Sequence, residues 1–364
     1  MINRLAKRLV SHIDSFLMGS LFFTLLVGLF VLYSASGQSL ERVGAQFANI
    51  VVALVVMWIA ANIPPQHLER IALPLYILGL LLLLGVALFG EISHGARRWL
   101  HLGVVRIQPS ELMKIAVPML LAWYFARREE STKFSDHVIG AVLLAIPVLF
   151  IMKQPDLGTS LLIGASGFFI LFLAGLNWRL LAGGAVLAGV LAPIFWNLLH
   201  DYQRKRIAIL FDPYQDPLGA GYHTIQASIA LGSGGIAGKG WLNGTQAQLD
   251  FLPERTTDFI FAVFGEEFGL LGNLLLLTLF TLLIGRGLAI AAQAQNTFCR
   301  LLAGSITLTF FTYVFVNIGM VSGILPVVGV PLPMISYGGT SLVTLMLGFG
   351  ILMSIQTHKK LVTT

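Results

Sequence analysis

The 364-residue chain carries 56% hydrophobic side chains and only 11% charged ones, with a mean hydropathy of +0.83. A soluble domain carries about 25% charged residues, so this chain cannot cover a water-facing surface, and a soluble enzyme is excluded. The net charge of +6 reads as membrane topology and anionic lipid rather than nucleic acid, and a single cysteine, Cys299, excludes an internal disulfide.

A bilayer takes about 20 apolar residues per helix. Runs of that order fall near 13–33, 46–63, 71–89, 109–126, 138–152, 158–176, 180–198, 259–284, 301–322 and 335–356. They predict an all-α polytopic membrane protein of about ten transmembrane helices. The fifth run is the shortest and abuts the sixth, as in a tilted pair or a hairpin. The first follows Arg4, Lys7 and Arg8 and precedes Ser34-Ala35-Ser36. It exceeds a signal-peptide core of about 7–15 residues and reads as an uncleaved span.

Basic residues in short loops set the orientation. With the N-terminus inside, Arg4, Lys7, Arg8, Arg70, Arg127, Arg128, Lys133, Arg179, Arg286, Arg300, Lys359 and Lys360 lie inside. Arg42, Arg97, Arg98, Arg106 and Lys153 lie in short outside loops. Twelve against five puts both termini in the cytoplasm. The whole chain, 1–364, then reads as one transmembrane domain. Its one long loop, about 199–257, lies outside between the seventh and eighth helices. Its Gly-rich turns, charges and aromatics suit a partly ordered loop packed on the bundle rather than a tether. No internal repeat of the transporter kind is visible.

A charge at membrane depth is costly unless paired or wet, so each is a functional candidate. Glu111 and Lys114 follow Gln108-Pro109-Ser110, and their i,i+3 spacing puts both on one helix face. They read either as a structural ion pair or as the lining of a polar cavity. Asp156 follows Gln154-Pro155 and precedes Leu157-Gly-Thr-Ser160; it suits a helix cap or a cavity on the side of the long loop. Asp258 ends Phe251-Leu-Pro-Glu-Arg-Thr-Thr-Asp258, where the long loop meets the bilayer. It reads as a cap or as a carboxylate that meets a lipid-borne substrate while touching water. Glu266 and Glu267 lie about 12 Å deeper on the same helix. They cannot both share the Asp258 face, and one of them is expected to pair with a buried donor. The Gly- and Pro-rich stretch from Gly323 to Pro333, with Ser336-Tyr-Gly-Gly-Thr-Ser341, cannot be an unbroken helix. It reads as a tight turn or as a wall of the site. No metal-ligand spacing, P-loop or nucleophile elbow occurs.

Several of these stretches recur together in one family. They are Tyr33-Ser-Ala-Ser-Gly37, Arg97-Arg-Trp-Leu100, Gln108-Pro-Ser-Glu111 with Lys114, and Gln154-Pro-Asp-Leu-Gly-Thr-Ser160. Asp212-Pro213, Asp216-Pro-Leu-Gly-Ala-Gly-Tyr-His223, Phe251 to Gly269, and Val330 to Ser341 follow in order. The chain resembles the SEDS family (shape, elongation, division, sporulation) along nearly its whole length. Its short tails and Lys239-Gly-Trp-Leu-Asn-Gly-Thr-Gln246 resemble the rod-shape branch rather than the division branch.

The resemblance implies a ten-helix inner-membrane enzyme that polymerises lipid II onto a growing glycan strand. It implies partnership with a class B penicillin-binding protein, a transpeptidase, and with other elongation-complex membrane proteins. By motif, Asp258 falls on the family's essential extracytoplasmic Asp, and Glu111, Lys114, Asp156 and Trp99 fall on cavity positions. The family commonly has His where this chain has Thr256, so no role is expected from that His. Lipid pyrophosphate is already a good leaving group, so a single base suffices. Asp258 would take the proton of the acceptor 4-hydroxyl. Arg97, Arg98, Arg206, Lys239, Arg255 or a divalent cation, magnesium or manganese, would hold the departing pyrophosphate. A lipid II flippase and a non-catalytic scaffold are the rival readings.

Overall fold

The computed structural model describes residues 11–358 apart from 94–95, 103–104, 130–131, 199–203, 205–207, 218, 250 and 253. Helices α1 (Ser15–Ala35), α2 (Leu40–Ala61) and α3 (Pro65–Phe89) come first. A small sheet follows, with β1 (Glu91–Ser93), β2 (Ala96–Leu102) and β3 (Val105–Ile107). Then come α4 (Pro109–Ala126), α5 (Phe134–Lys153), α6 (Leu157–Leu173) and α7 (Trp178–Leu198). The 199–257 segment holds α8 (Ala220–Ser233) and the single turn α9 (Thr245–Gln248). Helices α10 (Ile260–Ala292), α11 (Thr297–Val321) and α12 (Thr340–Thr357) close the fold.

Seven of these, α1, α2, α3, α5, α10, α11 and α12, are long and apolar enough to span a bilayer. The other three predicted spans are α4, which carries Glu111 and Lys114, the 17-residue α6, and α7. Phe22, Phe23, Leu81 and Val186 are exposed on the bundle's flank, as lipid-facing side chains must be. The fifth and sixth runs form a hairpin: α5 and α6 pack on each other and are joined only by Gln154-Pro155-Asp156. Polar caps start several helices. Asp14 accepts from Leu17 N at 2.9 Å, and Asn296 from Cys299 N at 2.8 Å; each satisfies an amide that no helical carbonyl can reach.

Two features depart from a plain helix bundle. The first is the antiparallel sheet, with order β1-β2-β3, pairing Ile92 with Arg97 and Leu100 with Ile107. Residues alternate across its faces, so Arg98 and Leu100 share one face and Arg97 and Trp99 the other. Leu100 packs towards α3, where a methyl on Gly85 would lie 3.8 Å from it.

The second is a break inside α10, where Gly269 adopts φ 62° and ψ −157°, a conformation open essentially to glycine alone. An intact helix would bond Glu266 O to the amide of Leu270, and Glu267 O to that of Leu271. Instead Lys239 N and Gly240 N donate to Glu266 O and Glu267 O at 3.0 Å each, and Leu270 N and Leu271 N donate to Gly235 O and Ile236 O at 2.9 and 3.1 Å. Two helical bonds are exchanged for four to a strap, residues 235–240. The carbonyls of Glu266 and Glu267 and the amides of Leu270 and Leu271 thus all keep partners, as burial demands.

The segment before α1 meets the end of α12. His12 stacks on His358, centroids 4.1 Å apart and planes within 2°, and its Nδ1 lies 3.2 Å from Thr357 Oγ1. Burial, and then the neighbouring His358, hold His12 below the usual imidazole range. The fold therefore favours the neutral ring. This contribution is fully present above the ordinary value of about 6.5 and is lost as pH falls through the lowered one. Amide exchange in the last turn of α12, corrected for intrinsic rates, should quicken between pH 7 and pH 5 in the wild type and not in His12→Ala. Equal acceleration in both would assign the effect to another group.

Candidate active site

The segment before α10 is held by its own turn and by the irregular stretch 322–339. Thr257 N and Phe259 N both donate to Glu254 O, at 3.1 and 3.2 Å, in a turn that gives Glu254 a φ of 52°. Three consecutive carbonyls are then taken from outside. Tyr337 N donates to Thr256 O at 2.8 Å, Ser336 Oγ to Thr257 O at 2.6 Å, and Asn317 Nδ2 to Asp258 O at 2.9 Å. Asn317 also donates to Val330 O at 2.7 Å. From full burial in α11 it ties the Asp258 backbone to the irregular segment. Gln46 of α2 fastens the other end, accepting from Gly338 N at 3.2 Å.

The Asp258 side chain is half-buried and lies beside Gly329, where a Cβ would stand 3.4 Å from its Oδ2. Gly329 has φ 75°, so its backbone reaches the carboxylate in a conformation that a larger residue would strain. The carboxylate is not the cap of α10; the capping position falls on Phe259, without a side-chain hydrogen bond.

Asp156 reaches the same segment from α6. A Cβ on Gly158 would lie 2.9 Å from Val328 O and 3.1 Å from Val330 Cγ2, so Val328–Val330 runs between the start of α6 and Asp258. Asp156 is both a cap and an ion-pair partner. Its Oδ1 accepts from Thr159 N at 3.1 Å and its Oδ2 lies 3.7 Å from Arg98 Nε. Arg98 Nη2 also donates to Pro155 O at 2.8 Å. Strand alternation thus brings Arg98, not Arg97, to Asp156. Arg97 is exposed, and Trp99 stacks under Arg106, 5.2 Å from its guanidinium carbon.

Glu111 and Lys114 form a 2.7 Å ion pair inside the bundle. Lys114 Nζ stands 5.3 Å from the ring centre of Tyr313 on α11. A space of about 30 Å³ beside Lys114 is lined by α4, α11 and α12, room for roughly one water. Tyr313 packs in turn with Val316 and Val330, so the pair supports the irregular segment from below.

Lys239 is bound to the protein. Its Nζ lies 2.7 Å from Glu266 Oε1 and 2.9 Å from Thr245 Oγ1. Glu266, fully buried, also accepts from Thr245 N at 2.9 Å and Gln246 N at 3.1 Å. Glu266 thus pairs with a lysine that is partly exposed, and the buried side-chain donor, Ser34, goes through its Oγ to Glu267. Arg255 lies against the end of α1, its Nη2 3.7 Å from where a Cβ of Gly37 would stand. Arg206 lies outside the described residues.

The fold and site define a multi-pass membrane protein whose polar machinery gathers where the 199–257 segment meets the bundle, around one half-buried carboxylate. The chain belongs to the FtsW/RodA/SpoVE family, whose model, described as cell cycle protein, matches residues 15–361, as the motif resemblance implied. Peptidoglycan glycosyltransferase MrdB of Escherichia coli K12 is 54% identical over 97% of this chain and 95% of its own length. A solved structure described as "Structural coordination of polymerization and crosslinking by a peptidoglycan synthase complex" aligns with a TM-score of 0.83 and 30% identity, over 95% of this chain and 99% of that one. The crystal structure of the Thermus thermophilus rod shape determining protein RodA aligns at 0.72 and 26%, over 95% and 98%.

Asn317 and Gln46 were not singled out in the sequence, and Ser336 only as part of the irregular stretch. Asn317 carried a signal, as an uncharged amide alone in an apolar helix. Ser336 and Gln46 act through backbone contacts that only the folded chain reveals.

Proposed function

We infer that this chain is a peptidoglycan glycosyltransferase of the bacterial inner membrane, the activity for which its relatives are named. Its substrate is lipid II and its product the glycan strand of cell elongation. Both termini are cytoplasmic, by the excess of basic residues in the inside loops, which puts Asp258 on the outer face. The partner is a class B penicillin-binding protein that cross-links the strand. A peptidoglycan synthase complex that coordinates polymerisation and crosslinking is among the structures this chain is similar to.

The observation that carries the mechanism is a backbone-clamped carboxylate at the membrane boundary. Three carbonyls fixed by Tyr337, Ser336 and Asn317 hold the Asp258 backbone in place, which suits a positioned general base. Asp258 takes the proton of the acceptor 4-hydroxyl. The hydroxyl oxygen bonds to the donor's anomeric carbon as the carbon–pyrophosphate bond breaks, and one displacement turns an α linkage into a β one. Arg98 beside Asp156 and Arg255 beside Gly37 are cations at this end of the bundle. Lys239 is engaged with Glu266, which supports a structural role for it. Among the described residues no three His, Cys, Asp or Glu side chains converge on a metal position. A divalent cation, magnesium or manganese, would neutralise the charge of the departing pyrophosphate.

Glu111 and Lys114 neutralise each other with only 13% and 7% of their side chains exposed. This supports a transferase over a flippase, which needs a polar path through the bundle. The test is polymerisation by the purified complex with its transpeptidase, using lipid II already on the accessible face. Glycan ladders on a gel are expected. Their absence from an intact complex supplied with magnesium or manganese would favour the flippase.

A further inference from the structure

The irregular segment has a second face. Leu325, Pro326 and Val327, just before the stretch that touches Asp258, form one wall of a cavity of about 230 Å³ closed by Ile209, Leu210, His223 and Thr224. The His223 ring lies on Phe259, the residue after Asp258, with centroids 5.6 Å apart and planes at 15°. Phe259 is buried, so the stack fixes the plane of the imidazole. His223 Nδ1 is shielded and has no hydrogen-bond partner among the described residues. A proton there would be an unmet donor, which burial penalises more than an idle lone pair. The neutral ring therefore carries its proton on Nε2. Burial also holds this imidazole below its usual range, so it is uncharged at neutral pH. None of the described residues lining the cavity is a lysine, arginine or carboxylate, so these residues offer an anion no charge.

We propose that this cavity binds the acetamido group of an N-acetylated sugar, with His223 Nε2–H donating to its carbonyl and Leu325, Pro326 and Val327 receiving its methyl. The pairing of one neutral donor with an apolar wall matches a group that offers one carbonyl beside one methyl. It does not match pyrophosphate or a bare hydroxyl. The assignment rests on the glycosyltransferase reading and adds the feature by which the site tells an N-acetylhexosamine from its free-amine counterpart.

The test compares lipid-linked disaccharide bearing acetamido groups with the same compound de-N-acetylated on its terminal sugar, using the purified complex. His223→Ala should raise KM for the acetylated substrate on the order of tenfold, the worth of one hydrogen bond, with kcat falling far less. The wild-type preference for the acetylated substrate should shrink by the same factor, and His223→Gln, which keeps an N–H donor, should restore most of it. Should the alanine variant not fold, His223→Phe preserves the stack on Phe259 without the donor and is scored in the same way. Polymer from the wild type with an unchanged substrate preference in the variants overturns the assignment alone. No polymer from the wild type overturns the transferase reading and this assignment with it.

Discussion

Asp258→Asn should lower the rate of glycan polymerisation by about two to four orders of magnitude, the range over which a positioned general base acts. Asparagine is nearly the shape of aspartate and cannot take up a proton. Backbone carbonyls 256 to 258 are held from outside, and the substitution leaves these contacts in place. Loss of activity should therefore come with unchanged membrane insertion, unchanged elution of the transpeptidase complex and unchanged thermal inactivation. Single-turnover assays at saturating lipid II locate the defect in kcat rather than in KM. A variant that is folded, complexed and polymerises at the wild-type rate would remove Asp258 from the chemistry.

Asp258 was legible because it stands at a boundary: a carboxylate closing a long polar loop and opening an apolar run. The ten helices were legible for a similar reason, since apolar length is a strong signal in a bilayer. The sheet between α3 and α4 was not. Its strands are three to seven residues long, too short for alternation to emerge. Without a register, Arg97 and Arg98 were equivalent candidates; once Ile92 pairs with Arg97, they fall on opposite faces, and only Arg98 meets Asp156. The break at Gly269 was hidden for another reason. A glycine inside an apolar run reads as a tolerated helix residue, and the strap that replaces the helical bonds lies some thirty residues earlier. That strap is also why Lys239, read as a free cation for pyrophosphate, is held by Glu266. Helix angles separated the two glutamates correctly but could not name the donor.

Glu266→Ala should be the most destabilising single change in the strap. The carboxylate is fully buried and accepts from Lys239 Nζ, from the Thr245 amide and hydroxyl, and from the Gln246 amide. Its removal strands a lysine side chain that is only 29% exposed, together with three further donors. Breaking one partner of a buried pair costs about 3–5 kcal/mol. Multi-pass proteins inactivate irreversibly, so the measurable quantity is a rate. If the strap opens before the bundle, 3 kcal/mol corresponds to a rise on the order of a hundredfold in thermal inactivation. Lys239→Met should cost less, because Glu266 keeps its amide and hydroxyl donors. Glu266→Gln with Lys239→Met should recover much of the loss, since a neutral amide can serve those donors with no charge left unpaired. The strap also supplies the backbone partners of the Gly269 break, which sets the direction of the first turns of α10 behind Asp258. Polymerisation in Glu266→Ala should therefore decay in step with the strap, seen as faster amide exchange at Lys239 and Gly240 before α11 is affected. Wild-type inactivation kinetics in Glu266→Ala would mean that the ion pair forms without supporting the break, and that the glycine contacts alone hold it.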